Sequence, residues 1–257
     1  MKKRYIVILL IIIVYFTVFF LLYGKDEMKK SKLETTIIVN DSTIWQLKNK
    51  NWYNIRDDAS KKDLNWEKFN IVINNKEIGK YQVVYDTKWY LYDDNKNPYS
   101  YTGNLLAYQA NYKMKVKDFK ETPINDYTYV NQVLEENSLP TNEELTVSNL
   151  ITLDFDDDGV DENFYFISNA FPLDETPENI FSIVFMEKSG VIYKMYNSIE
   201  KNKGYNGCKP YINDIIDVND DDKYEIILTC AKYSVETPID MLYTFTNNDF
   251  RIIISNQ

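Results

Sequence analysis

The first feature of the apolar pattern is a long segment near the N-terminus. No residue from Tyr5 to Tyr23 is charged, and residues 2–4 before it are all basic. A helix over this run, at about 1.5 Å per residue, would be about 28 Å long, close to the hydrocarbon thickness of a bilayer. The pattern therefore predicts one transmembrane helix in a membrane anchor at residues 1–24, followed by a charged juxtamembrane linker at residues 25–35.

A cleaved secretory signal peptide is the rival interpretation of the same run. Such a peptide has a shorter apolar region that ends in a small-x-small cleavage site. Here residues 19–24 read Phe-Phe-Leu-Leu-Tyr-Gly, which contains no such site. The sequence therefore favours an uncleaved signal anchor, with Tyr5 and Tyr23 at the two membrane interfaces.

After residue 35, apolar positions occur in short alternating runs. Residues 44–55 and 81–92 each have the pattern of a hairpin, and residues 129–136 have that of a short helix. The 22 tyrosines and 13 phenylalanines add to the strand propensity. We therefore predict a mainly β fold of antiparallel strands, with a β-rich region at 36–137 and a C-terminal repeat region at 145–257.

Two acidic segments in the repeat region share one spacing of oxygen-bearing side chains. Positions one, three, five and nine are Asp154, Asp156, Asp158 and Glu162 in the first segment, and Asp217, Asn219, Asp221 and Glu225 in the second. Each segment joins two apolar runs. Alternating oxygens on a tight turn suit Ca²⁺, which takes six to eight oxygen ligands. The backbone carbonyls of Val160 and Lys223 can each add one oxygen. The alternative is a pair of solvated acidic turns.

The two segments differ at the sixth position, where a tight loop needs a positive φ. Gly159 adopts this conformation without strain, whereas the second segment has Asp222, which tolerates it less well. The sequence therefore predicts Ca²⁺ more strongly at the first segment than at the second. An EF-hand is disfavoured, because the twelfth positions are Tyr165 and Leu228 where that loop has a bidentate Glu.

The ninth-position carboxylate between two strands resembles the calcium loops of FG-GAP/VCBS repeats, which occur in integrin-alpha-like β-propellers. The resemblance covers residues 150–168 and 213–229. Each segment is also followed by Glu-Thr-Pro, at 175–177 and 236–238, and then by a hairpin. Four antiparallel strands per unit fit a propeller blade, and a β-sandwich is the alternative. The resemblance implies binding or adhesion rather than catalysis.

The charge and the missing histidines narrow the function classes further. A formal net charge of −10 disfavours nucleic acid as a partner. The chain has no histidine, so it lacks the usual general base and the usual transition-metal ligand. We therefore predict a protein that is not an enzyme, with a protein or glycan ligand that the sequence does not name. The alternatives are a cell-envelope hydrolase that uses carboxylates and a purely structural envelope component.

Cys208 and Cys230 lie on either side of the second acidic segment. They can form a disulfide across a hairpin, or they can be two buried free thiols. Counting charges on both sides of the apolar run does not decide its orientation. Calcium loops and a disulfide both suit the extracytoplasmic side. We therefore expect a single-pass protein of the cell membrane with its C-terminal domain outside the cytoplasm.

Overall fold

The computed structural model describes residues 34–40, 43–141, 144–170, 179–201, 207–232 and 238–256. In this part of the chain, the strands form three antiparallel sheets and the helices are short. The prediction of a mainly β, antiparallel fold is therefore confirmed.

The N-terminal sheet has eight strands in the order β3-β2-β1-β8-β4-β5-β6-β7. They are β1 (Thr35–Val39), β2 (Thr43–Lys48), β3 (Asn51–Asn54), β4 (Lys68–Ile73), β5 (Lys76–Asp86), β6 (Lys88–Tyr92), β7 (Pro98–Tyr99) and β8 (Leu105–Ala110). The two predicted hairpins are confirmed as β2–β3 and β5–β6. The neighbours β1–β8 and β4–β8 pair residues that are far apart in sequence, whereas the other pairs join consecutive strands.

Two five-stranded sheets follow, each built around one acidic segment. The first-loop sheet has the order β10-β11-β12-β13-β14, and the second-loop sheet has the order β18-β17-β16-β15-β9. The strands are β9 (Lys115–Val116), β10 (Glu121–Pro123), β11 (Val147–Leu153), β12 (Glu162–Ser168), β13 (Asn179–Lys188), β14 (Val191–Lys201), β15 (Cys208–Asp217), β16 (Glu225–Lys232), β17 (Ile239–Thr246) and β18 (Asp249–Ser255). Each sheet thus contains one four-stranded antiparallel meander plus one short edge strand.

Within the described residues, two helices accompany the sheets, α1 (Asp58–Lys62) and α2 (Thr128–Glu136). The prediction of a helix at 129–136 is confirmed by α2. Its apolar face places Val130, Val133 and Leu134 against the outer side of the first-loop sheet. This spacing of three and four residues is that of one helical stripe, so packing on the sheet accounts for the position of α2.

The sheets stack in layers with an apolar cluster between each pair. Side chains such as Phe164 and Phe166 of the first-loop sheet meet Ile226 and Leu228 of the second. The other face of the second-loop sheet packs on the N-terminal sheet. The predicted four-stranded units are therefore present, but the sheets of the described residues do not close into a propeller. The face-to-face packing of the two loop sheets corresponds to the sandwich alternative.

Strand pairing crosses between the two predicted regions of the chain. β9 and β10 belong to residues 36–137, but they pair with β15 and β11 of the C-terminal region. The cluster between the N-terminal and second-loop sheets also combines residues of both regions, such as Trp45 and Ile227.

Some sequence predictions fall on residues outside the described ones. They concern the membrane span, the linker up to residue 33, the whole Glu-Thr-Pro turn at 175–177 and residues 236–237 of the second such turn. In the described part of the chain, no helix combines the length and the apolar character needed to cross a bilayer.

A disulfide joins Cys208 of β15 to Cys230 of β16, with their Cα atoms 5.4 Å apart. In the register of this strand pair, Cys230 lies opposite Pro210 and Cys208 lies opposite Lys232. The bond is therefore diagonal between adjacent strands. Both cysteines are fully buried in the cluster between the two loop sheets.

Candidate metal centre

The two acidic segments are turns that connect neighbouring strands of a meander. The first loop, residues 154–162, connects β11 to β12, and the second loop, residues 217–225, connects β15 to β16. In both, apolar residues before and after the loop are held in the core, which fixes the ends of the turn. The sequence predicted this placement between two strands.

The first aspartate of each loop accepts hydrogen bonds from two backbone amides. The carboxylate of Asp154 accepts from the N–H groups of Asp158 at 3.1 Å and Gly159 at 3.0 Å. The carboxylate of Asp217 accepts from the amides four and five residues later, each at 3.1 Å. The two loops therefore curl in the same way around their first carboxylate.

The glutamate at the ninth position also plays the same part in both loops. One oxygen of Glu162 accepts a hydrogen bond from the N–H of Phe155 at 2.6 Å. One oxygen of Glu225 accepts from the N–H of Val218 at 3.1 Å. Both glutamates are buried, at 0% and 2% exposure. The ninth-position carboxylate thus closes the base of each loop.

The other predicted residues lie in the same two turns. Asp158 and Asp221 accept hydrogen bonds from the amides of Val160 and Lys223, at 2.9 and 3.0 Å. The amide of Asp221 also donates to the side-chain oxygen of Asn219 at 3.1 Å. These bonds keep the acidic side chains folded over the turn.

The backbone conformation is also repeated between the loops. Gly159 and Asp222 have φ values of 86° and 64°, and Asp157 and Asp220 have values of 60° and 55°. Aspartate is one of the few non-glycine residues that adopt this left-handed region. The substitution of glycine by Asp222 therefore leaves the shape of the second loop intact.

Three carboxylates of the first loop lie close enough together to share a cation. Asp154, Asp156 and Glu162 offer oxygen atoms that all lie within 4.8 Å of one another. No second group of three this compact occurs among the residues that the structure describes. Hard oxygen donors in this number suit a divalent cation such as Ca²⁺.

An ammonium group already lies among the acids of the first loop. The Nζ of Lys188, at the end of β13, is 2.7 Å from Asp156 Oδ2 and 2.6 Å from both Asp158 Oδ2 and Glu162 Oε1. Burial alone would lower the pKa of Lys188, but the hydrogen bonds to these three acids raise it. The hydrogen bond from Lys188 is the main cause that lowers the pKa of Asp158. Sequence analysis did not identify this lysine.

The acids of the second loop have no such partner. Within the described ranges, no lysine or arginine nitrogen lies within 4.0 Å of the carboxylates of Asp217, Asp221 or Glu225, and the ion pair at this loop joins Lys115 to Asp222 instead. Burial raises the pKa of Glu225 to about 8, although the amide of Val218 works against the rise. The second loop therefore holds two buried acids, Asp217 and Glu225, that form no ion pair with a described residue, and the charge of Lys223 is the smallest of the influences on the pKa of Glu225.

The two loops are linked by a lysine that follows β9. Lys117 forms an ion pair with Asp157 of the first loop and donates to the carbonyl of Asp154 at 2.7 Å. Its Nζ also lies 4.4 Å from the ring centroid of Tyr224 in the second loop. The two loops are therefore neighbours at one end of the stacked sheets. Sequence analysis missed this lysine, since only the pairing of β9 with β15 brings it there.

Away from the loops, an open cavity of about 480 Å³ lies against the N-terminal sheet. Its lining includes Tyr90, Tyr99 and Tyr101 together with Lys88, and no carboxylate is among the described lining residues. Glycoside hydrolysis by paired acids needs two carboxylates that flank the bond to be cleaved. This cavity does not supply them.

Comparison of the chain with models of known protein families, with curated protein sequences and with solved structures finds no match. A functional conclusion therefore depends on the chemistry of the two loops and of the residues around them.

Proposed function

We propose that this chain is a single-pass, membrane-anchored β module that binds Ca²⁺ outside the cytoplasm and serves in binding or adhesion. The observation that carries the proposal is the repeated construction of the two loops. Two unrelated solvated acidic turns are not expected to share one pattern of amide-to-carboxylate hydrogen bonds. Here the pattern around Asp154 is repeated around Asp217, 63 residues later.

The donor set of each loop suits a hard cation. The side chains that would hold the ion are Asp154, Asp156, Asp158 and Glu162 in the first loop and Asp217, Asn219, Asp221 and Glu225 in the second, with the carbonyls of Val160 and Lys223. Bound Ca²⁺ would neutralise the crowded carboxylates and tie together two strand ends. At millimolar Ca²⁺, a site with a dissociation constant of about 0.1 mM would add about 1.4 kcal/mol to the free energy of unfolding.

We interpret the two four-stranded meanders as copies of one blade-like repeat that resembles the FG-GAP/VCBS unit. The order of strand, acidic loop, strand and hairpin is the same in β11–β14 and β15–β18. The resemblance to that family implies a role in binding or adhesion.

The Cys208–Cys230 disulfide supports an extracytoplasmic position for the domain. Disulfides persist in oxidising compartments and are rare in the cytosol. The uncharged run at residues 5–23 would then anchor the domain to the membrane. Protease added to intact cells should remove a C-terminal epitope tag, and protection of the tag would place the domain on the cytoplasmic side.

Thermal unfolding of the full-length protein tests the calcium proposal. Millimolar Ca²⁺ should raise the Tm over the value in chelator by about 3–6 °C for each occupied loop, given about 2–4 °C per kcal/mol for a chain of this size. The double variant Asp156→Ala/Asp221→Ala should lose the rise, and the control Asp118→Ala, at an exposed position outside the loops, should keep it. An unchanged Tm at several millimolar Ca²⁺ would refute the proposal.

A further inference from the structure

The position of Lys188 is that of a cation held by the first loop. Its Nζ contacts one oxygen from each of three acids at 2.6–2.7 Å, and its side chain is only 20% exposed. Two of these acids, Asp156 and Glu162, also belong to the compact group of three carboxylates. A metal ion bound there would have to displace the ammonium.

The strand register explains why only one loop has this lysine. Asn163 pairs with Glu187 across β12 and β13, which places the next residue, Lys188, beside Glu162. In the second unit, Glu225 pairs directly with Thr244 across β16 and β17. The same place in the repeat therefore holds an ammonium in the first unit and a neutral hydroxyl in the second.

We infer that Lys188 is the permanent cation of the first loop and that Ca²⁺ binds at the second loop instead. This inference rests on the proposed calcium-binding function and reverses the order of the two sites expected from the sequence. The sequence favoured the first loop because of Gly159. Asp222 adopts the same left-handed conformation, so the backbone shape does not distinguish the two loops as cation sites. The difference between them is the local charge.

The tether gives Lys188 an advantage over a dissolved ion. Its backbone is fixed in β13, so its ammonium returns to the acids at a high effective concentration. Ca²⁺ must break three ion pairs to enter the first loop. Among the described residues, Asp217, Asp221 and Glu225 of the second loop form no ion pair that Ca²⁺ would have to break. Lys188 should therefore weaken Ca²⁺ binding at the first loop by on the order of 100-fold, so that millimolar Ca²⁺ fills the second loop and leaves the first nearly empty.

Exchanging the two side chains tests the inference directly. We would measure the number of Ca²⁺ ions bound per chain by equilibrium dialysis of the full-length protein. Wild type should bind one ion, Lys188→Thr should bind two and Thr244→Lys should bind none. The control Lys68→Thr removes a lysine that pairs with Asp94 at 2.7 Å on the N-terminal sheet, and it should still bind one ion.

Two loop variants keep the test decisive if Lys188→Thr does not fold. Asp221→Ala should abolish binding, whereas Asp156→Ala should leave one ion bound. Two ions on wild type, or binding that Asp156→Ala removes and Asp221→Ala does not, would overturn the inference and leave calcium binding standing. No binding by wild type or by any variant would overturn the proposed function as well.

Discussion

A buried carboxylate between the N-terminal and second-loop sheets should make stability depend on pH. Asp240 of β17 is fully buried and accepts hydrogen bonds from the hydroxyls of Thr43 and Thr229. Its backbone amide donates to the side chain of Asn256 at 3.0 Å. Burial raises the pKa of Asp240 to about 6, although the hydrogen bonds from the two hydroxyls act to lower it.

The sign of the effect follows from the direction of this pKa shift. A carboxyl group with a higher pKa in the folded state binds more protons there than in the unfolded chain, so stability falls as the pH rises from about 4 to about 6. The fall is about 3 kcal/mol in total for a shift of about two pKa units, and about 2 kcal/mol of it lies between pH 4.5 and pH 7. Above that range the contribution of Asp240 is constant.

Urea unfolding of wild type and Asp240→Asn at pH 4.5 and pH 7, in chelator, measures this contribution. The free energy of unfolding of wild type, relative to the variant, should rise by about 2 kcal/mol on going to pH 4.5. The amide of the variant can accept a hydrogen bond from one threonine hydroxyl and donate one to the other. The exposed Asp118→Asn control should show no such change. Equal pH dependence in wild type and Asp240→Asn would refute the reasoning.

Three further predictions concern the stability of the fold, all measured by urea unfolding. Replacing Cys208 and Cys230 by alanine should lower the free energy of unfolding by about 3 kcal/mol, because the disulfide closes a separation of 22 residues. A decrease of less than about 1 kcal/mol would contradict this. Gly159→Ala in chelator should cost about 1 kcal/mol through its φ of 86° alone, since an added Cβ meets no atom within 4 Å; an unchanged midpoint would count against it. Leu134→Ala should cost about 3 kcal/mol by opening a cavity under α2, and a loss typical of a surface site would show that α2 is not docked.

The features predicted correctly from the sequence are the local ones. The hairpins at 44–55 and 81–92 follow from alternation over a few residues, and α2 follows from a three-and-four spacing. The strand–loop–strand arrangement around Asp154 and Asp217 was also visible, because the loop and the strands beside it are contiguous. Each of these features depends on neighbours within about ten residues of one another.

The features that the sequence did not reveal depend on long-range strand order. Insertion of β8 between β1 and β4 joins segments that no local pattern connects. The blade-like repeat units left a propeller and a β-sandwich open, because closure into a propeller depends on how many sheets of one kind are stacked. An eight-stranded sheet packs where another blade would be needed.

Lys188 shows the same limit at the candidate site. It lies on β13, one strand beyond the glutamate that it contacts, and the chain between β12 and β13 has no pattern that fixes the register in advance. The only available signal was a lysine just before the Ser189-Gly190 turn. Counting back from that turn would have placed it near Glu162 only if the register with β12 had been known.

The central claim is that this β module binds Ca²⁺ through its acidic loops, and a crystal structure of the protein in millimolar Ca²⁺ tests it most directly. The account predicts an anomalous scattering peak among Asp217, Asp221 and Glu225, with the ammonium of Lys188 still in the first loop. A peak in the first loop with Lys188 turned away would contradict the order of the sites. No peak in either loop would contradict calcium binding itself.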